Sequence, residues 1–444
     1  MVKLNINDAW EKILKEYDVL DKIYSKGFFN ITAQQIKEFK EPRLMAKFDS
    51  SESLPSILKK HKINILPTSR GSYILSDFEL YKKLPELTER VTKMKKVEIP
   101  KFETIDKKNI NSESNAINVL MLSNLLDDFL NEDNLSSTFG GRMGTDKFDF
   151  FVNRSSNNPL NVYVEKAQCE IDAGMESANS VVILEAKNVV HPDFHVRQLY
   201  YPYRLWEKKV TKPIRLVFSI YTNQIFRLLE YKFNELNNYS SIQLVREKNY
   251  SLYDTEINKN DLGRVYKRTK VKTDDNQVKA NVPFIQADSF DRVISLLEIL
   301  QNNDETSESI AEIMQFDKRQ SDYYYNAGKY LGLFKKIYLT DESDRKIVGI
   351  KLTSLGKEVV EMEYKDRQLK LVGLILEHKI FNDLFNEFFD KFYNTGQLPD
   401  FDEEHIKDKM RKYNVCNDRV IKRRSRSVQA WIKWIFSLTK IEMV

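Results

Sequence analysis

The sequence predicts a mixed α/β core, a sheet flanked by helices, followed by a helical tail carrying a small β-hairpin. Three observations predict it. Residues 180–184, SVVIL, form an apolar run of buried-strand length. The order helix, three strands, helix, two strands accounts for residues 113–235 as one α/β unit. From Ser289 the pattern changes to short amphipathic helices and two strand-like segments.

Composition narrows the class. With 444 residues the chain is long enough for two to four domains. Charged residues are 30% and apolar ones 41%, the balance of a soluble globular protein. No apolar run approaches a membrane span and the N-terminus has no signal-peptide pattern, so a cytoplasmic location is expected. Cys169 and Cys416 stand far apart and five histidines show no ligand spacing, which excludes a disulfide scaffold and a zinc ribbon. Net charge is only +5, but cations cluster at residues 411–426 and again at Arg264–Lys272, as on phosphate-binding surfaces. A solvated face is the alternative for either run.

In chain order, Asn7–Ile23 has helical periodicity, with Trp10, Ile13, Leu14 and Tyr17 on one side. Ile31–Phe39 reads as a short helix, and Lys62–Tyr73 as strand, loop, strand. Residues 84–112 are charged and weakly patterned, which predicts a linker. Residues 116–130 form one amphipathic helix through Ile117, Leu120, Met121, Leu125 and Phe129. Glu113 near its start is a weak candidate for an accessory acid, since a first-turn Glu also suits the helix dipole. Residues 136–153 predict a glycine-rich loop and a strand. Gly140, Gly141 and Gly144 make that loop permissive enough to bring Arg142 to DNA.

The chemistry concentrates in residues 168–187, QCEIDAGMESANSVVILEAK. Cutting a phosphodiester needs an attacking water and stabilisation of new negative charge, and magnesium on hard oxygen ligands serves both. Alternate strand residues share a face, so Glu185 and Lys187 project together while Ala186 points away and offers its carbonyl. Lys187 can orient or deprotonate the water. On the neighbouring strand Gln168, Glu170 and Asp172 share a face. The second acid is Glu170 or Asp172, with Asp172 favoured because it precedes Gly174 at the strand end; Glu176 is weaker. Acid-x-lysine triplets also decorate solvated strands. This one follows a buried run, has an acid at hairpin distance upstream, and precedes a helix, Phe194–Lys208, with Asp193 as its N-cap. Gln198 and Arg197 face the early turns of that helix and Pro202 kinks it. Strands follow at Ile214–Tyr221 and Ile225–Phe233. Residues 236–285 read as a polar connector.

In the tail, Phe290–Leu300 and Ser307–Met314 are helices. A third helix, in FDKRQSDYYYNAGKYLGLF, ends near Gly332, and strands follow at Lys336–Leu339 and Ile347–Leu352. Two short helices, a recognition helix and a β-wing make a winged helix-turn-helix. The recognition helix presents Arg319, Gln320, Tyr323, Tyr324 and Asn326, side chains able to meet base edges or phosphates. The last segment, RVIKRRSRSVQAWIKWIFSL, puts Arg423 and Arg424 in a basic cluster ahead of an apolar face. Trp431 and Trp434 are expected in the core.

These residues together resemble type II restriction endonucleases with a PD-(D/E)XK nuclease core. The resemblance runs through EIDAG, VVILEAKN and FHVRQLYYPYRLW in the core. In the tail it runs through RQSDYYYNAGKYLGL, LTSLGK and RRSRSVQAWIKWI, and at the N-terminus through FNITAQQIKEF, EPRLMAKFD and INILPTSRGSY. It implies that Asp172 and Glu185 bind Mg2+, that Lys187 assists the water, and that double-stranded DNA is cut. A homodimer at least during cleavage, and a cognate methyltransferase encoded nearby, are implied too. Ile171 replaces the proline of the motif. Pro202 stands where exonuclease-type relatives carry the tyrosine of Gln-x3-Tyr. The expected organisation is an N-terminal region 1–110, a nuclease core 111–285, a winged helix 286–362 and a basic helical module 363–444.

Overall fold

The computed structural model describes residues 4–87, 92–156, 158–272, 283–340, 344–397 and 400–443. The chain opens with α1 (Ile6–Glu16) and α2 (Val19–Lys26), two helices where periodicity predicts one, because Asp18 between them takes φ 47°. There follow β1 (Phe29–Thr32), α3 (Ala33–Lys37), α4 (Pro42–Ala46), a tight turn at Ser51–Ser53, α5 (Ser56–Lys60), β2 (Asn64–Pro67) and β3 (Ser72–Ser76). Thr32 and Gln35 close a capping box at the start of α3. The strands form an antiparallel sheet in the order β1-β3-β2, packed on Trp10, Ile13, Met45 and Leu58.

After β4 (Tyr81–Lys83) and β5 (Thr92–Lys96) come α6 (Glu113–Leu122), α7 (Leu125–Leu130), β6 (Ser136–Gly144), β7 (Phe148–Val152), β8 (Leu160–Val164), β9 (Gln168–Glu176) and β10 (Val181–Lys187). β11 (Asp193–His195), α8 (Arg197–Trp206), β12 (Ile214–Thr222), β13 (Ile225–Phe233), β14 (Ile242–Ser251) and α9 (Lys259–Arg268) complete this part. The C-terminal part contains α10 (Phe290–Asn302), β15 (Glu305–Thr306), α11 (Ser307–Ile313), α12 (Lys318–Tyr330), β16 (Phe334–Thr340) and β17 (Lys346–Leu352). It ends with α13 (Ser354–Glu361), α14 (Tyr364–Leu376), α15 (Lys379–Thr395), α16 (Glu403–Lys412), α17 (Asp418–Ser437) and β18 (Ile441–Met443).

The central feature is an eight-stranded mixed sheet, order β18-β5-β14-β13-β12-β10-β9-β6, flanked by helices. β10 runs parallel to β12 and antiparallel to β9. Two expectations fall here. β5 lies in the segment read as a linker, and β14 and α9 lie in the segment read as a connector. β5 is hidden in the sequence because charged residues alternate with its core residue Met94, and β14 because its apolar Leu244 and Val245 are exposed while its buried end is Asn249, Tyr250 and Ser251. The helix expected over 116–130 is also broken, at Asn124 with φ 53°. β6 is an edge strand in place of the predicted loop.

Two apolar clusters sandwich the sheet. One side joins Val182, Leu184 and Ala186 to α6 and α7 and continues into Leu296, Phe381 and Trp431 of the C-terminal helices. Because this core is continuous and β18 returns to pair with β5, the C-terminal part is fastened to the sheet and does not hang from it. The other side joins Ile183, Phe194, Leu199 and Phe218 to Leu66 and Ile74 of the N-terminal part.

Gly174 of β9 is packed directly beneath the Phe139 ring. A Cβ there would lie 2.2 Å from the ring, which is itself stacked 4.1 Å from Trp206. Gly174→Ala is therefore expected to cost about 1–3 kcal/mol through overpacking, read as a lower urea midpoint. Gly71→Ala, where nothing lies within 4 Å of a new Cβ, serves as the neutral control. Equal midpoints for the two variants would refute the packing argument.

Candidate active site

The centre forms at the C-terminal end of β10. Strand alternation sends Val182, Leu184 and Ala186 into one core and Ile183 into the other, and Glu185 and Lys187 share the face of Ile183. Their pairing as neighbours on one face was legible in the sequence. Lys187 Nζ lies 2.5 Å from Glu185 Oε1, and Gln198 Nε2 from the first turn of α8 donates to the same oxygen. Glu113, the first residue of α6, brings its Oε1 to 3.8 Å from Lys187 Nζ.

Asp172 reaches the centre through a β-bulge. On β6, Phe139 pairs with Gly174 and Gly141 with Ile171, so Asp172 and Ala173 both stand opposite Gly140. The extra residue breaks alternation. Cys169 and Ile171 face one core, while Ala173 and Met175 face the other. A bulge re-aims the side chains on either side of it. Glu170 and Asp172, expected on one face, are separated. Glu170 meets Arg142 at 3.4 Å in solvent, and Glu176 pairs with Lys212. Asp172 Oδ2 instead accepts from the Ala186 amide at 2.8 Å, which locks it beside Glu185.

One participant comes from a segment to which the sequence assigned no role. Asp49 is buried, with Oδ1 3.8 Å from Arg197 Nη2 and Oδ2 3.6 Å from Lys47 Nζ. Its carbonyl accepts from His195 N at 2.8 Å. The turn that carries it is pinned by Asp193, which accepts from the Ser50 hydroxyl and from the Ser51 amide and hydroxyl. Asp193 thus anchors the N-terminal part and is not the helix cap expected; α8 starts at Arg197. No local signal marks Asp49, because the partners that tie it to the centre, Arg197 and His195, lie more than a hundred positions away.

The electrostatics follow from burial. Desolvation pushes Glu185 up, against the pull of Lys187, and the Asp172 and Asp49 charges add to the rise. Burial likewise raises Glu113 despite Lys187. Burial opposes the charge on Lys187, but Glu185, Glu113, Asp172 and Asp49 together outweigh it and hold the ammonium protonated. Burial acts to raise Asp49 too, but Arg197, Lys187 and Lys47 prevail and keep it low. Four acids therefore share three cations, and burial pushes two of the acids, Glu185 and Glu113, toward their neutral form.

Among the described residues no group of three or more His, Cys, Asp or Glu side chains is arranged to hold a metal ion. The donor chemistry nevertheless suits a hard cation. Asp172 and Glu185 come from adjacent strands, and Mg2+ takes one or two carboxylates and keeps several waters. Asp49 Oδ1 and Gln198 Oε1 are buried oxygens with no hydrogen-bond partner, a condition an ion or its water would relieve. The centre is narrow. Glu185 and Lys187 side chains are 7% and 11% exposed, whereas Glu113 is 45% exposed and forms the open side.

The expected DNA-facing residues divide. Arg142 on edge strand β6, Arg319 at the start of α12, and Arg423 are exposed; Gln320, Tyr323 and Asn326 are half-buried. Arg423 lies 5.9 Å above the Tyr323 ring. Tyr324 does not face outward. It is 2% exposed, stacked 5.5 Å from Phe316, and belongs to the core. Helical phase explains the correction, since Ser321, Tyr324, Tyr325 and Gly328 form the inner face of α12. Arg424 donates to the Phe284 carbonyl at 2.8 Å, and burial lowers its pKa, so it serves the fold. Trp431 and Trp434 are in the core as expected. The run at Arg264–Lys272 is partly neutralised by Asp261 and Glu377.

Three family models match the chain: a domain of unknown function (DUF6996) over residues 7–75, a second (DUF6997) over 76–251 and a third (DUF7226) over 292–440. No curated protein and no solved structure matches it. The first match contains Asp49. The second contains Glu113, Asp172, Glu185, Lys187 and Gln198, so the centre is assembled across a family boundary.

Two histidines at its rim yield a pH prediction. Burial, followed by the positive charges of Arg292 and Lys187, pushes His191 down to about 3. Burial and then Arg197 do the same to His195. His195 Nδ1 already faces the Arg197 amide at 3.2 Å and the Tyr239 hydroxyl at 3.1 Å. A folded pKa below the unfolded one gives stability that is complete above about pH 6.5 and lost as pH falls toward 3. His195→Gln is expected to flatten the acid side of the urea-unfolding free energy by ~1 kcal/mol per pH unit between pH 6.5 and 4. Parallel curves for the two proteins would contradict this.

Proposed function

We propose that this chain is a magnesium-dependent, sequence-specific double-strand DNA endonuclease of the type II restriction class, built on a PD-(D/E)XK core with a C-terminal winged helix. One observation carries the reading: Lys187 and Gln198 both donate to Glu185 while Asp172 accepts from the Ala186 amide, so the four side chains converge at the C-terminal end of β10. In this reading Asp172 and Glu185 hold Mg2+, which when bound supplies a Lewis acid and a water of lowered pKa. Lys187, kept protonated by its acidic neighbours, acts as a cation and not as the base. It orients the water and offsets charge that develops on the phosphate. Gln198 fixes the Glu185 carboxylate, and Glu113 lines the side from which the phosphodiester enters.

Support for the winged helix is the sequence of α11, α12 and the β16–β17 hairpin, whose strands expose Lys335, Lys336 and Lys346. Arg319, Gln320, Tyr323 and Asn326 would read the major groove; Arg142 and Arg423 would hold the backbone. Cutting both strands requires two centres, so the reading includes a homodimer during cleavage. It also includes a cytoplasmic location and a cognate DNA methyltransferase encoded nearby. Among the described residues no helix is long and apolar enough to cross a membrane.

The near-closure of Glu185 and Lys187 favours a second reading, a DNA-binding regulator whose core does not cut. Plasmid DNA of mixed sequence, incubated with the protein and Mg2+, separates the two. Discrete fragments are expected from wild type, with Lys187→Ala, Glu185→Gln and Asp172→Asn slower by roughly a hundredfold or more. Salt-sensitive binding without cutting under Mg2+ or Mn2+ supports the regulator. Ragged cutting guided by damage supports a repair nuclease.

A further inference from the structure

Across β10 from the centre lies a recess of about 190 Å³. Its lining comes from the segment before α6, the residues just past β10, the β12–β13 turn and the C-terminal half of α10. Ile110, Val189 and Tyr221 in its walls belong to the apolar cluster shared with the C-terminal helices. Glu185 and Lys187 share the face of Ile183, which belongs to the opposite cluster. Asn109 and Asn111 donate to Asn302 Oδ1 at 2.7 and 3.3 Å, and so tie the segment before α6 to the last residue of α10.

The polar chemistry of the recess is that of carboxamides. Asn and Gln outnumber every other residue type in the lining. Asn188, the residue after Lys187, has neither its Oδ1 nor its Nδ2 hydrogen-bonded, and both atoms are closed to solvent. Gln224 is 2% exposed; its Nε2 donates to the Met362 carbonyl at 3.1 Å, and its Oε1 has no partner. A buried polar group without a partner costs stability, so the fold gains nothing from the Asn188 amide as it stands. Turning that amide into the recess breaks no hydrogen bond, and the terminal torsion of Asn is soft. The charges nearby are spent or balanced. Glu298 accepts from Arg367 at 2.6 Å and from the Asn223 amide at 2.9 Å. Lys108 and Glu305, also in the lining, have opposite signs. The lining therefore calls for a neutral ligand and not an ion.

We propose that this recess binds a nucleobase. A carboxamide offers a donor and an acceptor side by side in one plane, the complement of a nucleobase edge; adenine meets it through its amino group and a ring nitrogen. Gln224 Oε1 adds an acceptor for a second base N–H. Tyr221 and Ile299 supply apolar walls against which a planar ring packs. The volume falls below the roughly 300–1,000 Å³ of pockets for drug-sized ligands, and so suits one base better than a whole nucleotide. The base has two possible sources, a free nucleoside or a nucleotide swung out of a bound duplex. Because the recess lies across β10 from Glu185 and Lys187, nucleoside binding does not depend on whether the chain cuts DNA.

The full chain is titrated with deoxyadenosine, deoxyguanosine, deoxycytidine and thymidine one at a time, and binding is read by saturation-transfer NMR. At least one is expected to bind saturably, with a dissociation constant of about a millimolar or tighter, as suits a base of roughly ten non-hydrogen atoms. Asn188→Leu is expected to weaken that binding about tenfold or more. Its thermal midpoint without ligand is expected to equal or exceed that of wild type, because an apolar group of similar shape replaces an amide that had no partner. A lower midpoint would show that the amide serves the fold, and overturns the proposal. Nucleoside binding that Asn188→Leu leaves unchanged overturns it too.

A second arm separates the two sources. Duplex fragments of a mixed-sequence plasmid, made with part of the adenine replaced by fluorescent aminopurine, are added to the chain in EDTA so that no cutting intervenes. Aminopurine brightens when it or its neighbour leaves the stack. A rise with wild type that Asn188→Leu abolishes assigns the recess to a base swung out of the duplex. Nucleoside binding without such a rise assigns it to a free nucleoside. A rise of equal size in both proteins arises elsewhere and counts as none. If no nucleoside binds and no rise depends on Asn188, the proposal falls. A chain that binds no duplex defeats the nuclease reading, while the nucleoside titration still decides the recess.

Discussion

Burying charge is the constraint on which this architecture turns. Glu185 and Lys187 lie at the end of a strand whose other residues are all core, and an ion pair taken out of water needs further partners to be tolerated. Those partners are drawn from four places: Asp172 through a bulge, Gln198 from the first turn of α8, Glu113 from the start of α6, and Asp49 from the N-terminal part. The surplus of acids over cations that results is the property a hard divalent ion would answer.

The same constraint accounts for the way the parts of the chain interlock. The N-terminal part is fastened by serines on Asp193, and Glu52 reaches the C-terminal part through Arg292. The central sheet accepts β5 from the segment before α6 and β18 from the last turn of the chain. Its apolar faces are shared with the C-terminal helices on one side and the N-terminal strands on the other. A boundary drawn at any one point in the sequence therefore cuts through shared packing.

Two features of the surface differ in character. The outer face of α12 and the lysines of the β16–β17 hairpin form a polar, cationic surface. The carboxylates and Lys187 are held in a narrow recess that opens toward Glu113. In the nuclease reading proposed above, the surface would meet the duplex and the recess a single phosphate.

Local pattern alone determined the strand and its motif. The VVIL run and the period of two placed Glu185 and Lys187 on one face. Periodicity of 3.6 likewise marked α10, α11 and α12, and the turn after α12 marked its hairpin. These are short-range properties, set by the geometry of single elements. Asp172, favoured over Glu170 for its place before Gly174, is the acid that joins Lys187; the route was not legible, because the bulge opposite Gly140 depends on the pairing of β6 with β9 and breaks the parity that put Glu170 and Asp172 on one face. Tyr324 and Arg424 read as surface groups until packing turned them inward. Asp49 stood only as the last residue of EPRLMAKFD, with no role: its neighbours in space, Lys187 and Arg197, are set by the docking of one part of the chain on another, and no spacing along the chain encodes a contact made that way.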